Sequence, residues 1–257
     1  MAERWALILG ASSGFGEATS RALARDGYSI LGVHLDRRST MPHVQEIVDA
    51  IRAEGRQAHF YNVNAADIEK IEATLDTMRQ ELGGEQVHVL LHSLAFGTLG
   101  PYFGDGSLSA AQMEMTLRVM AHSLVDWTQG LVQRGMLARQ GRIFAMTSSG
   151  SHRVIPNYGA VSAAKASLEA HCRQLAVELA PMEVRVNALR GGVTDTPALR
   201  KIPGHERLIA GAQERNPSGR LTRPEDVAGA IVALSRPEAH WITGNVINVD
   251  GGEEVIV

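Results

Sequence analysis

Trp5-Ala6-Leu7-Ile8-Leu9-Gly10-Ala11-Ser12-Ser13-Gly14-Phe15-Gly16 decides how the chain reads. The first five residues form a short apolar run without alternation, as expected of a strand buried on both faces in a parallel sheet. Three glycines follow, at Gly10, Gly14 and Gly16, and then the helix-forming run 17–24. Glycines let a chain turn sharply and approach a ligand closely, and a helix N-terminus attracts anions. Strand, glycine turn and helix in this order predict a dinucleotide-binding βα unit, with Gly10, Ser12, Ser13, Gly14, Phe15 and Gly16 around the pyrophosphate.

Outward from this unit, strand and helix patterns alternate to the end of the chain. Strands are expected at 29–35, 57–63, 86–91, 142–147, 184–189 and 246–249, with helices at 43–54, 66–82, 109–139, 161–180 and 224–234. This alternation specifies right-handed βαβ units: a single-domain α/β fold with a doubly wound, mostly parallel sheet and helices on both faces. No linker, repeat or low-complexity tract divides the 257 residues.

The second strand runs into Asp36-Arg37-Arg38. An acid here accepts hydrogen bonds from an adenosine ribose, whereas arginines pair with a 2′-phosphate. Both chemistries are present; the paired Arg37 and Arg38 favour NADP, with NAD as the alternative. In such a sheet the residues just after each strand face the ligand. These include Asn62 and Val63, Ser93, Ser148, and the run Val193, Thr194 and Thr196.

Tyr158 precedes Lys165 by seven residues. On one continuous helix that spacing is nearly two turns and puts both side chains on one face. A phenol close to an ammonium is suited to proton donation.

Gly10-x3-Gly14-x-Gly16, Asn62-Val63, Ser148, Tyr158 with Lys165, Val186-Asn187-Ala188 and Asn248-Val249-Asp250-Gly251-Gly252 resemble a short-chain dehydrogenase/reductase over nearly the whole length. Most members carry the tyrosine four residues before the lysine, where this chain has Val161. The Y-x6-K spacing, with His92-Ser93-Leu94-Ala95-Phe96, resembles the enoyl-acyl-carrier-protein reductases, in a variant that keeps the ordinary glycine loop. The resemblance implies an NAD(P)H-dependent reductase of a 2-enoyl thioester, catalytic Tyr158 and Lys165, and a homotetramer. Ser148 is a secondary donor or a loop-ordering hydroxyl, and Met120 stands where common members carry a helix asparagine.

The spacing also has a physical rationale. In ketone reduction, hydride and proton reach adjacent atoms. In a 2-enoyl thioester the hydride goes to C3 while charge collects on the thioester oxygen, so the donor belongs further away. A carbonyl reductase or alcohol dehydrogenase, or a dinucleotide sensor without turnover, are the alternatives.

Residues 197–223 read as a lid over the substrate, carrying Leu199 and six cations against two acids. That excess could attract an acyl carrier protein or the phosphates of coenzyme A, or be a solvated face. Phe96, Tyr102 and Phe103 could line an acyl pocket or be packed loop aromatics. A net charge of −3 gives no field that recruits nucleic acid. The single Cys172 reads as core filler, ten scattered histidines lack metal-ligand spacing, and no apolar run is long enough for a bilayer. The chain enters its first strand directly from Met1, so a cytoplasmic protein is expected. Apolar Val255-Ile256-Val257 at the end would suit burial against another subunit.

Overall fold

The computed structural model describes residues 3–202 and 204–256. Met1, Ala2 and Val257, and Pro203 within the expected lid, lie outside the described residues. Seven strands form one parallel sheet in the order β3-β2-β1-β4-β5-β6-β7. They are β1 Arg4–Leu9, β2 Tyr28–His34, β3 Ala58–Asn62, β4 Val87–His92, β5 Leu137–Thr147, β6 Arg185–Gly191 and β7 Val246–Val249. The order reverses at β1, so the crevice between the carboxyl ends of β1 and β4 is the topological switch point, where such sheets bind ligands.

The apolar runs of the strands serve both faces by alternation. Trp5, Leu7 and Leu9 face one core layer, and Ala6 and Ile8 the other. The first layer is covered by α3 (Ile68–Leu82), α5 (Ser123–Gln133) and α6 (Gly159–Glu178), through Leu75, Trp127 and Leu168 among others. The second is covered by α1 (Gly14–Arg25), α2 (Met41–Ala53) and α8 (Pro224–Leu234), through Leu23, Ile47 and Ile231. Cys172 is buried in the first layer, which pushes its thiol up to about 12, as a core role requires.

Three expectations are corrected. The helix expected at 109–139 is α4 (Ala110–Leu117), a π-helical turn at Arg118–His122, and α5, which ends at Gln133. Gly135, with φ +66°, reverses the chain, and β5 begins at Leu137. The apolar residues 136–138 fit either element by pattern, and the left-handed glycine decides between them. Finally, Tyr158 is not inside a helix. It is the N-cap of α6, with φ −105° and ψ 5°, so helical geometry does not by itself place its phenol.

Residues 197–223 carry one helix of this length, α7 (His205–Arg215), after a short turn at Leu199–Lys201. Among the described residues no helix is long and apolar enough to cross a membrane, and no group of three or more His, Cys, Asp or Glu is placed to hold a metal ion.

Candidate active site

The glycine turn is built by close approach. A Cβ on Gly16 would lie 2.0 Å from the Gly10 carbonyl oxygen, and Gly10, at φ +90°, passes over the Ser93 carbonyl. This joins β1, the start of α1 and the end of β4 at the switch point. Ser13 caps α1 with its backbone alone, so its side chain is not used on the first turn. Gly14 faces the Thr196 methyl, at 3.5 Å from a built Cβ. A dinucleotide fits this cradle: the backbone leaves room for a pyrophosphate, and the helix end favours its charge.

A cleft of about 660 Å³ opens beside the turn. Of the residues expected from sequence, Phe15, Ser93, Ser148, Tyr158, Lys165, Val193, Thr194, Thr196 and Leu199 line it. Lys165 lies at its floor, 4 % exposed, its Nζ donating to the Met146 carbonyl at 2.7 Å and the Leu94 carbonyl at 3.3 Å. Burial lowers the ammonium to about 8, against opposing charge from Cys172 and Glu169. The Tyr158 ring packs against Gly150, where a Cβ would come within 2.8 Å of it. Burial raises the phenol above its ordinary value, and a hydrogen bond with Ser148 opposes that rise. Ser148 Oγ accepts from the Gly150 amide at 3.1 Å, so this hydroxyl orders the loop beside the phenol.

Other expected residues lie elsewhere. Asn62 spends its carboxamide on the Asp36 backbone, accepting at 3.0 Å and donating at 2.9 Å, and Val63 packs on the core beyond the cleft. Burial would raise the Asp36 carboxyl, but hydrogen bonds from Ser12, Thr40 and His34 outweigh it and hold it below the usual range. Arg37 and Arg38 are exposed, and neither is in an ion pair among the described residues. Phe96 is 62 % exposed and does not line the cleft, and Phe103 is exposed too, so an acyl pocket built on them is corrected.

The apolar lining is made instead by Gly97, Leu99, Met120 and Val161, together with Ile155, Ile202 and Leu208. Met120 and Val161 were visible in the sequence only as missing polar groups; here they pack together with Tyr158 and Leu99. Glu253, raised by burial, accepts from the Val193 amide at 3.0 Å and fixes that loop from the C-terminal segment. Neither contact carries a local signal, because each partner comes from a distant segment.

A family model described as "Enoyl-(Acyl carrier protein) reductase" matches residues 10–254. The chain is 30 % identical to a cis-4-hydroxycyclohexanecarboxylate dehydrogenase from Sinomonas cyclohexanicum, covering 98 % of this chain and 96 % of the relative. It is 32 % identical to an NADH-dependent enoyl-[acyl-carrier-protein] reductase from a Nostoc species, over 77 % of this chain and 75 % of that one. The crystal structure of an enoyl-[acyl-carrier-protein] reductase from Aquifex aeolicus superposes with a TM-score of 0.86 at 24 % identity, covering 98 % and 97 % of the two chains, which is a likeness of fold. With the glycine cradle and the Tyr158–Lys165 cleft in hand, the chain belongs to the short-chain dehydrogenase/reductase superfamily, in the family that the enoyl-(acyl carrier protein) reductase model describes, and is an NAD(P)H-binding oxidoreductase.

Proposed function

We propose that this enzyme reduces the C2–C3 double bond of a 2-enoyl thioester, with NADPH as the reductant. One observation carries the reading. The proton donor facing the cleft with Lys165 is Tyr158, while the position one turn before the lysine is Val161, part of an apolar wall with Met120, Leu99 and Gly97. An apolar wall there suits an acyl chain, and leaves the phenol as the donor for a more distant oxygen.

When bound, the reduced nicotinamide supplies a hydride, which here would go to C3. The Gly10–Gly16 turn would hold the pyrophosphate, Thr194 and Thr196 would flank the carboxamide and phosphates, and Val193 would pack beside the ring. Lys165, with two of its three N–H donors on the Met146 and Leu94 carbonyls, keeps one for the nicotinamide ribose. Tyr158, kept protonated by burial, donates to the thioester oxygen on which negative charge collects. A proton then adds at C2, so one hydride and one proton reduce the alkene to the saturated thioester.

NADP is favoured over NAD by unequal availability. Asp36 already accepts from Thr40 and pairs with His34, whereas Arg37 and Arg38 are exposed and unengaged by any ion pair among the described residues. Residues 197–223 act as the lid, contributing Leu199, Ile202 and Leu208 to the cleft. Its Lys201 and Arg215 also line the cleft, while Arg200 and Arg220 are paired with Asp195 and Asp226. Lys201 and Arg215, in no ion pair among the described residues, suit the phosphates of a coenzyme A or carrier-bound thioester. Assembly as a homotetramer is part of the same proposal; Trp241 and Val255 stay exposed in the single chain.

A second reading, carbonyl reduction or alcohol oxidation, is favoured by Ser148 lining the cleft beside Tyr158, where two hydroxyls could meet one substrate oxygen. The dehydrogenase relative points the same way. Side-by-side turnover of crotonyl-CoA and acetoacetyl-CoA with NADPH separates the two. Preference for crotonyl-CoA supports the enoyl reading, and preference for acetoacetyl-CoA refutes it. Cofactor binding without turnover of either would instead support a sensor.

A further inference from the structure

Arg190, near the carboxyl end of β6, lines the cleft and holds four segments together. Its Nη2 donates to the Glu169 carboxylate on α6 at 3.3 Å and to the Ser151 hydroxyl at 3.4 Å, and its Nη1 donates to Asn248 Oδ1 on β7 at 3.3 Å. Thr147, the last residue of β5, donates its hydroxyl to the same Glu169 oxygen at 2.7 Å. Both side chains of the ion pair are 13 % exposed. Charges this far from water gain little net stability from pairing, so such a pair calls for another role. Glu169 stands one turn beyond Lys165, on the same face of α6.

We propose that Arg190 is a positioning residue of the reductase centre: it neutralises Glu169 beside Lys165, and ties the Ser148 loop and β7 to the helix that follows Tyr158. The inference rests on Lys165 being the cation of the cofactor site. The charged and titratable groups that act on Lys165 are His92 from β4 and Glu169 and Cys172 from its own helix. Burial drives His92 down to about 3 and the Cys172 thiol up to about 12, so both stay neutral across the working range. Glu169 is therefore the charge that matters, and Arg190 decides how much of it Lys165 feels.

The chain has three lysines, Lys70, Lys165 and Lys201, so [13Cε]lysine NMR of the full-length protein follows Lys165 directly. Lys165→Met assigns its signal. Arg190→Met should raise the Lys165 midpoint by about one to two pH units, the effect of an unshielded charge one helical turn away at an effective dielectric constant of about 20–40. Glu169→Gln should lower it by a similar amount, and the double variant should return close to the unmodified protein. Arg190→Lys, which keeps the charge, should leave it in place. Opposite shifts are what a merely structural pair would not give. Should Arg190→Met fail to fold, Glu169→Gln decides alone, since a glutamine oxygen still accepts from Thr147. An unmoved Lys165 in that variant overturns the proposal. Activity of Lys165→Met tests the underlying reading separately. Full activity there removes the premise and the proposal with it, whereas a dead Lys165→Met with flat titrations sinks the Arg190 proposal alone.

Discussion

Replacing Tyr158 by phenylalanine removes one oxygen from the cleft and little else. The ring sits against Gly150, and phenylalanine fills the same slot. The hydroxyl lies toward Ser148, and its loss should cost at most about 1 kcal/mol of stability. For a chain of this size that is a drop in Tm of about 2–4 °C. If the hydroxyl stabilises charge on the substrate oxygen, kcat should fall by about 10²–10³, or roughly 3–4 kcal/mol of transition-state stabilisation. Dinucleotide affinity should hold within about twofold, since the glycine turn and Lys165 are untouched. The assay is steady-state reduction of crotonyl-CoA, with cofactor fluorescence titration and a thermal melt on the same preparation. Gly150→Ala is the companion variant. Its Cβ would meet the ring at 2.8–2.9 Å, displacing a phenol that is still present, and kcat should fall by about tenfold or more. A Tyr158→Phe enzyme with kcat within threefold of the unmodified protein refutes the assignment.

Gly16→Ala sets a methyl 2.0 Å from the Gly10 carbonyl oxygen; Tm should fall by about 5–10 °C and dinucleotide affinity by at least about tenfold, read by melting and titration. Lys165 also gives a pH signature. Its folded value of about 8 lies below the ordinary 10.5, so between those values the unfolded chain holds a proton that the folded chain has released. Stability therefore rises with pH across that window, by about 3 kcal/mol, and the full burial penalty applies below 8. Lys165→Met should lack this rise in urea melts at pH 7.5 and 10; equal slopes would contradict the burial argument. Replacing Arg37 and Arg38 together by alanine should weaken NADPH binding about 10–100-fold and leave NADH within a few-fold, and loss of NADH alone would turn the cofactor proposal around.

What was legible in the sequence was what is written locally. The Gly10–Gly16 turn needs only a strand before it and a helix after it, and the alternation of apolar runs carries the sheet. The Tyr158–Lys165 spacing and the missing polar groups at Val161 and Met120 also survive translation into space. The helix boundary at Gly135 does not, because Met136, Leu137 and Ala138 suit a buried helix and a buried strand equally. Phe96 looked like a pocket residue because it follows a strand end, but its ring is exposed while its neighbours Ala95 and Gly97 line the cleft. Asn62 occupies the expected place and turns its carboxamide to the backbone of Asp36. The contacts hardest to read are those between distant segments, such as Glu253 on Val193, Arg190 on Glu169, and Lys165 on the carbonyls of Met146 and Leu94. No periodicity announces a side chain that answers to a backbone atom nineteen or more positions away.

The claim that most needs testing is where the hydride lands. Reducing crotonyl-CoA with NADPH deuterated at the transferred C4 position, and locating the label in the product by NMR, tests it directly. The account predicts one deuterium on C3 of a saturated butyryl thioester. Deuterium delivered instead to a carbinol carbon of a hydroxyacyl product, from acetoacetyl-CoA and with crotonyl-CoA left untouched, would contradict it.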